Sequence, residues 1–145
     1  MTEKREFASI RILVVDDHEA ARRGIRSVLT GDPSLDVVGE AVDGTEAIQK
    51  SQDLRPDIIL LDITLPAQSG LQAAEHIRVV SPDSRIIFVS QHDSVQVARE
   101  AMSLGAYGYV VKSDAGHELL AAIEAAREGR VFVSRTLLEH GWKSL

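Results

Sequence analysis

The chain has 145 residues, 44% of them hydrophobic and 26% charged, with 22 acidic against 16 basic side chains and a formal net charge of −6. That length suits one domain with a real core, and the acidic balance argues against non-specific binding of nucleic acid backbones by these residues. The absence of cysteine excludes disulfides and thiolate metal sites. No apolar run approaches the ~18 residues that span a bilayer, and the polar start Met1-Thr-Glu-Lys-Arg-Glu6 has no signal-peptide core behind it. A cytoplasmic protein without membrane association is the expectation.

Residues 1–8 read as a flexible start, 9–130 as the domain, and 131–145 as an extension. Ile10–Val15 reads as a strand ending in Asp16-Asp17. The stretch His18–Thr30 has helical spacing, with Ala20, Ala21, Ile25, Val28 and Leu29 on one side and Arg22, Arg23 and Arg26 on the other. A second strand runs from Leu35 towards Val42, and Asp43 or Thr45 is placed to cap the helix that carries Ala47, Ile48 and Leu54. The third strand, Ile58-Ile-Leu-Leu61, is apolar without alternation, as expected of a strand covered on both faces, and it stops at Asp62. Pro66 and Gly70 punctuate the loop beyond it. Leu71, Ala74, Ile77 and Arg78 mark a third helix, Arg85–Val89 a fourth strand ending at Ser90, and Val95–Met102 a fourth helix. Tyr107–Val111 is a fifth strand ending at Lys112, and Ser113 or Asp114 opens a last long helix with Leu119, Leu120, Ile123 and Ala126 inside it. Five strand–helix units in strict alternation predict an α/β fold: a doubly wound, flavodoxin-like parallel sheet of order 2-1-3-4-5 with helices on both faces. In the extension, Ser134 is placed to cap a short helix, and Leu138, Trp142 and Leu145 share one face. This helix would cover the domain or a dimer partner, or begin a linker.

In such sheets ligands bind beyond the carboxyl ends of the strands. Those ends carry Asp16 and Asp17, Asp62, Ser90 and Lys112. With the first and third strands adjacent, three carboxylates meet and repel unless a cation sits among them. Oxygen-only donors suit Mg²⁺ or Mn²⁺. Lys112 supplies a compact positive charge for a phosphoryl oxygen, Ser90 a hydroxyl, and Asp62 a carboxylate nucleophile. Each residue has an ordinary structural reading as a cap or surface group; their convergence on one edge does not. No GxGxxG or GxxxxGK[ST] loop follows any strand.

These residues resemble the receiver domain of two-component response regulators (CheY-like), over roughly residues 9–130. The motifs are Leu13-Val-Val-Asp-Asp17-His, Leu60-Leu-Asp62-Ile-Thr-Leu-Pro66-Ala-Gln-Ser-Gly70, Ser90, and Gly105-Ala-Tyr-Gly-Tyr109-Val-Val-Lys112. The resemblance implies Asp62 as phospho-acceptor, and Asp16, Asp17, Asp62 and the Thr64 carbonyl as Mg²⁺ ligands. It implies Ser90 and Tyr109 as a switch pair and Lys112 as the phosphate contact. A sensor histidine kinase or phosphotransfer protein would be the donor and the face of the fourth helix, fifth strand and fifth helix the output. Tyr109 would rotate inward as Ser90 moves, and a homodimer is compatible. Two departures stand out. Ser113 follows the lysine where many receivers have a cis-proline, a pattern similar to receivers that precede a LuxR-type (LuxR/NarL/FixJ) DNA-binding domain. Gln91 is large where the family is usually small, which would narrow access to the site.

Other readings compete. A metal-dependent phosphatase of the haloacid dehalogenase type would need a second aspartate where Thr64 stands. An inactive interaction module would lack one of the acidic residues or the lysine. Flavin binding would need a Ser/Thr-rich loop after the first strand.

Overall fold

The apolar run Ile58–Leu61 forms β3, with all four residues buried, and it occupies the middle of the sheet because both its faces are covered. A computed structural model describes residues 9–143, so the expectations for residues 1–8 and for Leu145 lie outside the described residues. The other strands are β1 (Ile10–Val15), β2 (Leu35–Ala41), β4 (Arg85–Ser90), β5 (Gly108–Val111) and a two-residue β6 (Phe132–Val133). All pairs are parallel, in the order β2-β1-β3-β4-β5-β6. The expected 2-1-3-4-5 sheet is therefore present, with a sixth strand added at its edge. Two apolar residues are too few for periodicity to mark a strand. What recruits them is free β5 backbone: Phe132 N–H donates to the Tyr107 carbonyl (3.0 Å) and Ser134 N–H to the Tyr109 carbonyl (2.9 Å).

The helices are α1 (Glu19–Leu29), α2 (Gly44–Leu54), α3 (Gly70–Val80), α4 (Val95–Met102), α5 (Ala115–Arg127) and α6 (Arg135–Glu139). Successive strand residues point to opposite faces, so each strand feeds two cores. Ile12, Val14, Leu60 and Val89 pack with Ile25 and Leu29 of α1 and with Leu119 and Ile123 of α5. Leu13, Ile59, Leu61 and Phe88 pack with Ala47, Ala74, Ile77 and Ala98 of α2, α3 and α4. The alanines let these helices lie close to the sheet.

Several local expectations resolve or change. Asp43, not Thr45, caps α2, accepting from Glu46 N–H at 2.7 Å, while Glu46 reaches back to Val42 N–H at 2.8 Å. Neither Ser113 nor Asp114 caps α5 through its side chain. A short 3₁₀ turn, Lys112–Asp114, precedes that helix, and the Asp114 carboxylate accepts from Thr136 Oγ1 (2.5 Å) and Ser134 Oγ (2.9 Å) instead. Arg22 is half-buried rather than on the outer face, because its guanidinium donates to Glu40 (2.8 Å) and to the Asp16 carbonyl (2.7 Å). Leu120 and Leu138 are exposed. Because α6 begins at Arg135, Leu137 is the residue it buries in the core, with Trp142 packed beside it.

Candidate functional site

β3 ends at Leu61, and the next residue, Asp62, leaves the sheet with its side chain still buried. The returning chain is pressed against this point. Gly70 N–H donates to the Ile63 carbonyl at 2.6 Å, and a Cβ on Gly70 would stand 1.9 Å from the Asp62 carbonyl oxygen. Only a glycine permits that approach, and it fixes where the Asp62 backbone sits. Ser69 caps α3 in a reciprocal pair with Gln72, closing the loop. On the neighbouring strand, Asp62 N–H donates to the Val15 carbonyl (3.1 Å), so the end of β3 lies directly beside the Asp16-Asp17 end of β1.

Lys112 arrives from the end of β5, and its Nζ lies 2.6 Å from Asp16 Oδ2 and 3.1 Å from Asp62 Oδ2. The ammonium thus stands between two buried carboxylates. The third carboxylate takes a different partner. Among the described residues, Asp16, Asp17 and His18 form the group whose ligand atoms all lie within 4.8 Å of one another, with His18 Nδ1 at 3.1 Å from Asp17 Oδ1 and 3.3 Å from Asp16 Oδ1. Asp16 therefore meets Lys112 through one oxygen and His18 through the other, with Asp62 on the Lys112 side and Asp17 on the His18 side. Arg22, by holding the Asp16 carbonyl, anchors the turn that presents both aspartates.

The electrostatics follow from burial and charge. Burial pushes the Asp62 carboxyl above the usual carboxylate range, and the adjacent Lys112 only partly offsets this. For Lys112, burial works against the charged form, but Asp16 and Asp62 outweigh it and hold the ammonium above its ordinary range. Asp16 Oδ2 and Asp17 Oδ1 are buried, and their near neighbours are the Lys112 ammonium at 2.6 Å and the His18 ring at 3.1 Å; buried carboxylates are held by such partners or by a metal ion. Such oxygens fit a hard divalent ion, and His18 stands close enough to add a nitrogen donor.

Ser90, at the end of β4, is fully buried, and its Oγ accepts from His92 N–H at 3.1 Å. Tyr109 already lies inward. It is fully buried against Phe88, with ring centroids 6.3 Å apart, and its hydroxyl donates to the His92 carbonyl at 2.9 Å. Burial also raises its phenol above the ordinary range. Thr64 N–H lies 3.4 Å from Asp62 Oδ1, and its hydroxyl is 2.9 Å from His92 Nε2. His92 thus touches Thr64, Ser90 and Tyr109 at once, a junction that sequence reading missed. A histidine in a short loop carries no periodic signal, and one partner lies 28 positions away. Gln91, expected to crowd the entrance, is exposed; His92 is the residue that reaches across to the β3–α3 loop.

The model of the response regulator receiver domain matches residues 12–124. The chain belongs to that family. It is 38% identical over 121 residues to the DNA-binding transcriptional activator DevR/DosR of Mycobacterium tuberculosis, covering 83% of this chain and 56% of that protein. It is 34% identical to the nitrate/nitrite response regulator NarL of Escherichia coli K12, covering 87% of this chain and 58% of NarL. Among solved structures, a LuxR-family two-component response regulator from Aurantimonas sp. SI85-9A1 superposes with a TM-score of 0.86 at 38% identity, covering 91% of this chain and 94% of that one. The receiver therefore spans a little over half the length of the curated relatives it matches. Receivers are signalling domains of two-component phosphorelays, and the six-stranded sheet is a CheY-like fold with one added edge strand. Among the described residues, no helix is long and apolar enough to cross a membrane.

Proposed function

We propose that Asp62 accepts a phosphoryl group from the phosphohistidine of a sensor histidine kinase or phosphotransfer protein. The observation that carries this reading is a single one: a buried carboxylate at the end of the central strand, with an ammonium 3.1 Å from one oxygen. Asp16, Asp17, Asp62 and the Thr64 carbonyl would hold Mg²⁺ or Mn²⁺. When bound, that ion offsets charge on the phosphoryl oxygens. Asp62 forms the new P–O bond as the donor P–N bond breaks and its electron pair returns to the imidazole. Lys112 then exchanges its carboxylate partner for a phosphoryl oxygen, and the Ser90 hydroxyl donates to another.

The product adds about −1.5 to −2 charge at one strand end. Drawing Ser90 towards it disturbs the bond from His92 N–H, and His92 also accepts from Tyr109. The switch pair is thereby linked through one residue, and a population shift of the α4–β5–α5 face needs only a few kcal/mol. Control of transcription through a LuxR-type DNA-binding domain, with the DNA contacts made outside these residues, is the output this reading favours, in the cytoplasm. Turnover of external substrates is disfavoured by Thr64, which stands where a phosphatase of this kind would carry its second aspartate.

Incubation with acetyl phosphate and Mg²⁺, followed by intact-mass measurement, tests the assignment. Wild type should gain one phosphoryl mass, dependent on the ion, and Asp62→Ala should gain none. Labelling that survives in the variant would place the acceptor elsewhere.

A further inference from the structure

The turn that begins at Lys112 has no side-chain cap of its own. The sequence Lys112-Ser-Asp114 contains no proline and forms a three-residue 3₁₀ turn. Beyond its own backbone bond, from Ala115 N–H to the Lys112 carbonyl, the hydrogen bonds that fix it come from the tail. Ser134 is fully buried, and its Oγ accepts from Val111 N–H at 3.1 Å, one residue before Lys112. The same hydroxyl is shared as a donor between Asp114 (2.9 Å) and Glu118. Thr136 Oγ1 donates to the same Asp114 oxygen, and Arg135 N–H to Glu118 at 2.9 Å. On the strand side, Ser134 N–H donates to the Tyr109 carbonyl. The tail thus brackets Lys112, bonded to the residue before it and to the turn that follows it.

We infer that Ser134, with its partner Asp114, is a positioning residue for Lys112: the tail latch sets where the ammonium stands between Asp16 and Asp62. This rests on the reading of Lys112 as the phosphoryl contact. A lysine stem is long and rotamer-rich, so its head is placed only as well as its backbone is held. Here the backbone amide before it is satisfied by a tail side chain rather than by a strand. A charge that must meet a phosphoryl oxygen loses effect when its anchor is loosened, because catalysis by positioned charge depends on preorganisation. The seating of residues 131–142, and of whatever chain they are joined to, is then felt at the acceptor.

The experiment is a double-mutant cycle read as the rate of acyl-phosphate formation on Asp62 with acetyl phosphate and Mg²⁺. Ser134→Ala should slow labelling about five-fold, the effect of one lost buried hydrogen bond. Asp114→Asn, which keeps an acceptor, should stay near wild type, while Asp114→Ala should match Ser134→Ala. The decisive arm is the Lys112→Ala background, where adding Ser134→Ala should cost nothing further. Mg²⁺ affinity, titrated separately, should be unchanged by Ser134→Ala. Equal losses with and without Lys112, or no loss at all, would overturn the latch and leave the receiver reading intact. A wild-type chain that gains no label on Asp62 would remove both.

Discussion

The centre of the sheet and its β5 edge are held together by different physics. At the centre, β3 is buried on both faces and contributes no polar side chain until Asp62, and the loop beyond is pinned by backbone contact at Gly70. At the edge, Phe132 and Val133 are only half-buried, and Val131 is exposed. The tail is kept there by Ser134, Thr136 and two carboxylates, with Leu137 as its one fully buried apolar anchor among the described residues. Apolar burial at the centre can be lost only with the whole fold. A polar clasp at an edge can open by itself, at a free energy below that of global unfolding. The candidate site draws on both regions, taking Asp62 from the fixed part and Lys112 from the part that can loosen.

The largest effect that would break this contrast lies at the centre. Gly70→Ala should destabilise the domain by about 3 kcal/mol, the upper end of overpacking costs, because its Cβ meets backbone rather than a flexible side-chain tip. Urea unfolding measures this, and a loss under about 1 kcal/mol would mean that the loop yields and that Asp62 is not firmly fixed. The next effect lies at the edge. Leu137→Ala removes a fully buried side chain, a change that costs about 2 kcal/mol or more in a cooperative core. Here the cost should fall on the tail: the Phe132 and Ser134 amides should exchange faster while the urea midpoint moves little. A full shift of the global transition would show that edge and centre unfold as one.

Legibility follows the same division. β3 and Asp62 can be read because an unbroken apolar run ending in a carboxylate fits little besides a doubly covered strand that delivers a charge to its end. Asp16, Ser90 and Lys112 likewise each stand at the end of a patterned strand. What sequence could not show is which side chain each carboxylate meets. Reading three acids onto one edge did not show that Lys112 reaches between Asp16 and Asp62 or that His18 lies beside Asp16 and Asp17. Those are side-chain choices made across strands. Arg22 misled for a related reason, since its long side chain spans from α1 to Glu40 although helical spacing sets it on the outer face. The edge was the hardest to read, because β6 has two residues and its hold depends on hydroxyls that look like ordinary loop serines and threonines.

Acid titration gives the finest test of the comparison, since the two regions shift carboxylates in opposite directions. At the centre, burial raises Asp62. At the edge, hydrogen bonding from Thr136, reinforced by Ser134, lowers Asp114 against the opposing effect of burial. For a raised carboxylate the folded state holds its proton more tightly than the unfolded chain, so ionised Asp62 weakens the fold above its folded pKa and the penalty fades as pH falls through that value. In chelator, Asp62→Asn should therefore be more stable than wild type at pH 7 by about 1 kcal/mol, a usual gain when functional strain is released. The gain should vanish on acidification. For the lowered Asp114 the sign reverses: its contribution is complete above the ordinary carboxylate range and is lost below it, as pH falls through the folded value. Amide exchange at Val111 and Ser134 should then rise in acid in wild type, more steeply than in Asp114→Asn, while amides of β3 remain protected. If both regions lost protection together over that range, the clasp would be part of the global fold, and Lys112 would be held as firmly as Asp62.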